Sequence, residues 1–192
     1  VDKLARAGLG AFSFAVKPGA CLAITGRSGS GKSLLLRMIA DLDPHEGEAW
    51  LDGRPRAGMA GPEWRRQVVY CAAESGWWHH DVAAHFRTPP PLALAESLGL
   101  SGAIFSQEMR LCSTGERQRL SLLRSLALES PVLLLDEPTG PLDPESVARV
   151  EALLQAGLRS GTAIILVTHD PGQAERMGDE HLVMADGKLH PV

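Results

Sequence analysis

The chain has 192 residues, 44% hydrophobic and 22% charged, with a formal net charge of −4. That is the composition of a soluble globular domain with a sizeable core, and the balance of charge argues against a primary nucleic-acid-binding role. No apolar run approaches the ~20 residues that span a bilayer, and no secretory signal is visible.

The cysteines are Cys21, Cys71 and Cys112, odd in number and without a C-x-x-C pair. Neither a disulfide framework nor a zinc site is expected, and Cys21 and Cys71, in apolar runs, read as buried thiols of a reducing cytosol.

In chain order, Phe12, Phe14 and Val16 alternate with Ala11, Ser13 and Ala15, which predicts a half-buried strand. Lys17-Pro18-Gly19 turns the chain into an apolar run, Ala20 to Thr25, read as a buried strand. The next residues, Gly26-Arg27-Ser28-Gly29-Ser30-Gly31-Lys32-Ser33, complete the pattern G-x-x-x-x-G-K-[ST], and Leu34 to Ala40 reads as a helix. Strand, glycine-rich turn and helix together are the context a phosphate-binding loop needs. The glycines let backbone N–H groups curl around an anion without Cβ clashes, and the helix N-terminus adds partial positive charge. Lys32 is expected to reach the β- and γ-phosphates of a nucleotide, and Ser33 to place its hydroxyl on Mg²⁺.

Asp43-Pro44-His45-Glu46-Gly47 breaks the chain, Glu48 to Leu51 reads as a strand, and Asp52-Gly53 as a turn. Gln67 to Cys71 is a further apolar strand. Glu74 to Leu111 differs in character, with Trp77-Trp78, a Pro89-Pro90-Pro91 break and a short helix at Leu92 to Leu98. It reads as a mostly helical insertion, about 75–114, in a core of 1–74 and 115–192. Gly115 to Ser130 has helical spacing, stopped by Pro131, and Val132 to Leu135 suits a central parallel strand. A helix from about Pro144 to Leu158, a strand from Ala163 to Val167, and a hairpin turning at Asp186-Gly187 complete the chain. The alternation predicts an α/β core with a parallel sheet.

Two carboxylates, Asp136 and Glu137, end the run at 132–135. At the C-terminal edge of a parallel strand they face the crevice where ligands bind. Asp136 can hold the Mg²⁺ shell, and Glu137 can polarise a water for in-line attack on a γ-phosphate. Ser113 and Glu116 form a capping box at a helix start, itself a ready anion site.

Leu135-Asp136-Glu137-Pro138-Thr139, Leu142-Asp143 and Val167-Thr168-His169-Asp170 resemble the motifs of ATP-binding cassette (ABC) ATPases. Cys112-Ser113-Thr114-Gly115-Glu116 is similar to that family's signature, usually Leu-Ser-Gly-Gly-Glu/Gln. The motif order matches along nearly the whole chain. The resemblance implies a P-loop NTPase core with a parallel central sheet, an N-terminal antiparallel β subdomain and a small inserted helical subdomain. It implies ATP and Mg²⁺, with ATP held by Gly26, Arg27, Ser28, Gly29, Ser30, Gly31, Lys32, Ser33 and Leu34. Ser33, Asp136 and Glu74 are the implied metal ligands, and Glu137, His169 and Lys32 the implied catalytic residues. It further implies a head-to-tail dimer with a second copy, whose Ser113, Thr114, Gly115 and Glu116 complete each site. A separate transmembrane permease, docked at the cytoplasmic face of a membrane, is the remaining implied partner; no nucleic acid is.

Alternatives stand beside this reading. Asp143 precedes Pro144 and serves equally as a helix cap or as the family's dimer-interface residue. Glu74 stands where the family has a Gln, or, one residue out of register, is merely a loop acid. Thr114 replaces a signature Gly, which favours weaker dimer closure. No Tyr or Phe upstream of the phosphate loop is placed to stack on adenine. Trp77 and Trp78 suit either a permease-docking surface or packing inside the insertion. A soluble ABC ATPase outside transport and an ATP-gated switch with weak hydrolysis are the competing functions.

Overall fold

The computed structural model describes residues 1–6, 8–86, 88 and 92–192. The Pro89-Pro90-Pro91 break lies outside the described residues. In chain order the elements are β1 (Asp2–Arg6), β2 (Leu9–Phe12), β3 (Cys21–Thr25), α1 (Lys32–Ile39), β4 (Glu46–Glu48), β5 (Trp50–Leu51), β6 (Arg54–Pro55), α2 (Gly61–Gln67) and β7 (Val68–Cys71). They continue with α3 (Leu92–Ser97), α4 (Thr114–Leu126), β8 (Val132–Asp136), α5 (Pro144–Arg159), β9 (Ala163–Val167), α6 (Pro171–Met177), β10 (Glu180–Ala185) and β11 (Lys188–Pro191). Short 3-10 turns at Ala83–His85, Gly102–Ser106 and Met109–Leu111 accompany α3 between β7 and α4.

The central sheet runs β11-β10-β3-β9-β8-β7, parallel except for the β10–β11 hairpin. A smaller antiparallel sheet, β2-β1-β4, stands beside it. The parallel strands read as continuous apolar runs because both faces are covered. Their side chains alternate between two cores. Cys21, Ile164, Leu166, Leu133, Leu135 and Cys71 join Leu120 and Leu123 of α4 and Val150 and Leu154 of α5. Leu22, Ile24, Ile165, Val167, Leu134 and Val68 join Leu35, Leu36 and Ile39 of α1 and Trp64 of α2. The buried indole of Trp64 donates to Ile39 O at 2.9 Å, so its one polar atom is satisfied.

Several sequence-based boundaries shift. The strand expected over Ala11 to Val16 is β2, Leu9–Phe12; Phe14 and Val16 follow it as partly buried side chains of the second core. The strand expected over Glu48 to Leu51 is broken at Ala49, whose N–H goes to Glu48 Oε1 (2.9 Å) and whose carbonyl accepts from Arg56 N (2.7 Å). One half pairs with β1, the other forms the β5–β6 hairpin around Asp52-Gly53. The helix expected to run to Ser130 ends at Leu126. There Leu128 N bonds three residues back to Ser125 O, and Glu129 adopts a left-handed φ of 47°.

Strands β3, β9, β8 and β7 are in register, with Ile24 opposite Val167, Val167 opposite Asp136, and Leu135 opposite Cys71. The loops after them therefore emerge together at one sheet edge. Those loops carry the phosphate-loop motif, His169, Glu137 and Glu74.

Candidate functional site

The phosphate loop links β3 to α1. Gly26, Gly29 and Gly31 have φ of 141°, 77° and 103°, a region open to glycine and strained for other residues. A Cβ on Gly26 would lie 2.4 Å from Met184 O, and one on Gly31 2.3 Å from Leu9 Cδ1, so the turn cannot accept side chains there. Gly31 caps α1 without a side-chain hydrogen bond, and no acid stands in the first turn. The first-turn N–H groups of α1 are thus left for an anion. Lys32 is buried, and its Nζ donates to Gly26 O at 2.8 Å and Arg27 O at 3.0 Å, holding the loop closed on itself. Ser30 Oγ is buried without a hydrogen-bond partner among the described residues, an unmet donor within an anion cradle. Ser33 is exposed in the first turn of α1, and Leu34 is partly buried behind it. Gly8, Leu9 and the β10–β11 turn wall a pocket of about 630 Å³ beside residues 26–30. None of its described lining residues is aromatic, and Phe12 is locked in the core at 2% exposure.

Asp136 ends β8 at 2% exposure and accepts from Tyr70 Oη at 2.9 Å. Burial and the nearby Asp136 charge push the Tyr70 hydroxyl far above its ordinary range, so it stays a donor at neutral pH. Glu137 sits at a φ of 48°, a strained conformation for a side-chain-bearing residue, with its N–H fixed by Val167 O at 2.9 Å. His169 Nδ1 donates to Glu137 Oε2 at 3.1 Å across the β8–β9 edge. The structure therefore unites Glu137 and His169 as a pair, one residue along the chain from Asp136.

Glu74 is exposed on the turn after β7 and makes no hydrogen bond or ion pair among the described residues, so nothing but its place in the chain ties it to a metal. Ser113–Glu116 lies apart from the phosphate loop, and none of its residues lines the pocket there. The capping box forms: Ser113 Oγ accepts from Glu116 N at 3.2 Å, while Ser113 N and Oγ donate to Glu116 Oε2 at 2.8 Å each. These bonds hold the Glu116 carboxyl below its ordinary pKa. Thr114 is exposed at the first helical position, and Gly115 packs near Leu142. Replacing Ser113 with Ala is expected to cost about 1 kcal/mol in thermal or denaturant unfolding. Because the folded Glu116 pKa is depressed, that difference is full above the ordinary glutamate range and shrinks as pH falls through the folded value. Asp143 caps α5, accepting from Ser146 N at 2.9 Å and Ser146 Oγ at 2.7 Å, which lowers its pKa. Both of its carboxylate oxygens are engaged within its own chain.

A buried polar network escaped the sequence reading. Thr139, two residues past Glu137, exchanges bonds of 3.1 and 3.0 Å with Gln173. Gln173, 1% exposed, also donates to Glu151 Oε1 at 3.2 Å, and Arg176 closes on Glu151 at 2.7 and 2.9 Å. Gln118 adds a 3.1 Å bond to Pro138 O. The loop bearing Glu137 is thus tied to α4, α5 and the helix following His169. No local pattern announces such partners; an uncharged Gln on the apolar side of α6 is the one clue. Gln173→Ala leaves buried groups of Thr139 and Glu151 short of a partner, with an expected cost of about 1–3 kcal/mol read as a lowered Tm.

A glycine cradle between a parallel strand and a helix, with two acids and a histidine at the ends of neighbouring strands, defines a nucleotide-binding P-loop α/β protein. The chain belongs to the ABC transporter family, whose model matches residues 9–140. It is 36% identical to the Fe(3+) ions import ATP-binding protein FbpC 2 of Rhodococcus jostii over 94% of this chain and 56% of that protein. It is also 36% identical to the aliphatic sulfonates import ATP-binding protein SsuB 2 of Paracoccus denitrificans, over 91% and 70%. The chain thus spans about half the length of the first of these relatives and more of the second. Its fold matches the dimeric, post-hydrolysis structure of the ATP-binding cassette MJ0796 bound to ADP and Pi, with a TM-score of 0.82 and 23% identity over 96% of this chain and 90% of that one.

The residues present suit Mg²⁺. Ser33 and Asp136 are hard oxygen donors, and no cluster of three acidic, histidine or cysteine side chains exists among the described residues. A hydroxyl and a carboxylate are oxygen donors of the kind that Mg²⁺ takes from a protein beside substrate phosphates.

Proposed function

We propose that this chain is the ATP-binding, ATP-hydrolysing subunit that drives a separate membrane permease. The observation that carries the reading is the Glu137–His169 pair at 3.1 Å, on the same sheet edge as a complete phosphate loop. The names of the import relatives support a transport role. No helix among the described residues is long and apolar enough to cross a membrane, which fits a subunit that borrows its membrane path and works at the cytoplasmic face.

In this mechanism residues 26–34 wrap the phosphates, and Lys32 exchanges its bonds to loop carbonyls for phosphate oxygens. Ser33 and Asp136 would hold Mg²⁺, which would supply charge neutralisation to the bound phosphates. Glu137 accepts the proton of the attacking water, and His169, fixed by Glu137, orients that water and the γ-phosphate. Glu74 remains a proposed metal ligand. Ser113 to Glu116 of a second copy meets the γ-phosphate from the opposite side, and Asp143 lies at that joint. The insertion at about 75–114 is the proposed separate subdomain.

Thr114, at the first position of α4 where a glycine would let backbone approach phosphate, favours a second reading: an ATP-gated dimerisation switch with weak hydrolysis. Phosphate release from Mg-ATP by the purified chain separates the two. Turnover well above a Glu137→Gln control supports the ATPase, and turnover equal to it overturns the ATPase in favour of the switch. Co-purification with a polytopic membrane protein tests the permease; isolation without one counts against transport.

A further inference from the structure

Asp136, buried at 2% exposure, has a single side-chain partner among the described residues. That partner is Tyr70, whose hydroxyl donates to Asp136 Oδ2 at 2.9 Å. No Lys, Arg or His among the described residues answers the carboxylate. Lys32, the buried cation that opens α1, gives its ammonium to Gly26 O and Arg27 O. Arg37, further along the same helix, is engaged by Asp43 at 2.7 Å. An ionised carboxylate held out of water on one donor is costly, and a cation offsets that cost.

Strand register makes the pair. β7 and β8 run parallel, with Tyr70 opposite Leu134. Side chains alternate along a strand, so Asp136, two residues on, shares the face of Leu134 and Tyr70. That face lies under α1, where Leu134 and Tyr70 pack with Leu35 and Leu36. The Tyr70 ring is thus fixed by the core while its hydroxyl meets the carboxylate at the sheet edge. Burial and the Asp136 charge keep that hydroxyl protonated, so the bond runs one way.

The bond decides which oxygen remains. A carboxylate can meet a cation through one oxygen or straddle it with both. With Oδ2 engaged by Tyr70, Oδ1 is left for a cation or for a water bound to one. Mg²⁺ demands near-ideal octahedral geometry, for which the two-oxygen bite of a carboxylate is too narrow; the larger Ca²⁺ accepts it readily.

We propose that Tyr70 determines metal specificity at the nucleotide site: by holding Asp136 Oδ2 it restricts the carboxylate to one-oxygen contact and so favours Mg²⁺ over Ca²⁺. This rests on the Mg-ATP reading above. Tyr70 is a positioning residue that acts through Asp136 and touches no substrate.

Tyr70→Phe removes the hydroxyl and keeps the ring. Affinity for β,γ-imido-ATP, which is not hydrolysed, is measured by calorimetry on parent and variant in EDTA, in Mg²⁺ and in Ca²⁺. The affinity in EDTA should be unchanged, while the ratio of Ca²⁺-supported to Mg²⁺-supported affinity should rise about three- to tenfold in the variant. An unchanged ratio, or an equal fall under every condition, overturns the proposal and leaves Tyr70 a packing residue. Tyr70 is also the single tyrosine of the chain. Biosynthetic fluorotyrosine therefore labels this position alone, and fluorine NMR reads it without a substitution. Its resonance should shift when Mg²⁺ joins the nucleotide-bound chain, and by a different amount with Ca²⁺. A resonance indifferent to both metals overturns the proposal, whether or not Tyr70→Phe folds. A parent that gains affinity from Mg²⁺ while the variant keeps its ratio loses this inference alone; a parent that gains nothing from Mg²⁺ loses the metal site of the function proposed above.

Discussion

Glu137→Gln is expected to lower steady-state phosphate release by about 10²–10⁴-fold while leaving the affinity for Mg-ATP within a few-fold of the parent. The amide keeps the shape of the carboxylate but cannot accept the water's proton. The loss should fall on kcat, because Glu137 stands at the strand edge beside His169 and outside the phosphate loop itself. The amide can still accept from His169 Nδ1 through its carbonyl oxygen, so the histidine keeps its place. Rapid-quench and nucleotide-binding measurements on the same preparation separate the two quantities. A variant that loses binding together with turnover would show that Glu137 supports the nucleotide and is not the base.

Lys32→Ala should have the larger effect on binding. The side chain is 6% exposed and its ammonium donates to the loop carbonyls of Gly26 and Arg27 at 2.8 and 3.0 Å. Its removal takes away the charge expected on the β- and γ-phosphates and leaves both carbonyls without that donor. Charge-assisted bonds of this kind are worth about 1.5–3 kcal/mol each, so ATP affinity is expected to fall by at least tenfold, with turnover below detection. Lys32→Arg should not rescue it, since the planar fork cannot enter the space filled by an unbranched ammonium. Unfolding of the apo variant should show a smaller loss, about 1–2 kcal/mol, because water can reach carbonyls in a loop open to solvent. Full ATP affinity in Lys32→Ala would remove the phosphate loop from the account.

Local chemistry made much of this molecule legible before any coordinate. The phosphate loop is a contiguous pattern whose glycines are demanded by left-handed φ values and by backbone approaches such as that of Met184 O to Gly26. The buried parallel strands β3, β8 and β9 announced themselves as unbroken apolar runs, because both faces of the sheet are covered. The capping box at Ser113 and the cap at Asp143 are likewise set by neighbours within three residues.

What escaped was set by distant partners. Helix α2 has seven residues and buries Trp64 alone, too short a stretch to establish a 3.6-residue period. Helix α6 is the same length and opens with Pro171-Gly172, which reads as a turn. The break at Ala49 depends on Arg56 N, and the Thr139–Gln173–Glu151–Arg176 network joins residues more than twenty positions apart. Tyr70 reads as one more residue of the strand from Gln67 to Cys71; the pairing of β7 with β8 is what puts its hydroxyl on Asp136.

The central claim is that the phosphate loop is half a site and that Ser113 to Glu116 of a second copy is the other half. Sedimentation velocity of Glu137→Gln with and without ATP tests it most directly, since hydrolysis cannot then disperse the complex. The expected result is a monomer without nucleotide and a dimer with ATP, abolished when Ser113→Arg is added in the same chain. A chain that binds ATP yet stays monomeric at every concentration, or dimerises regardless of Ser113→Arg, would contradict it.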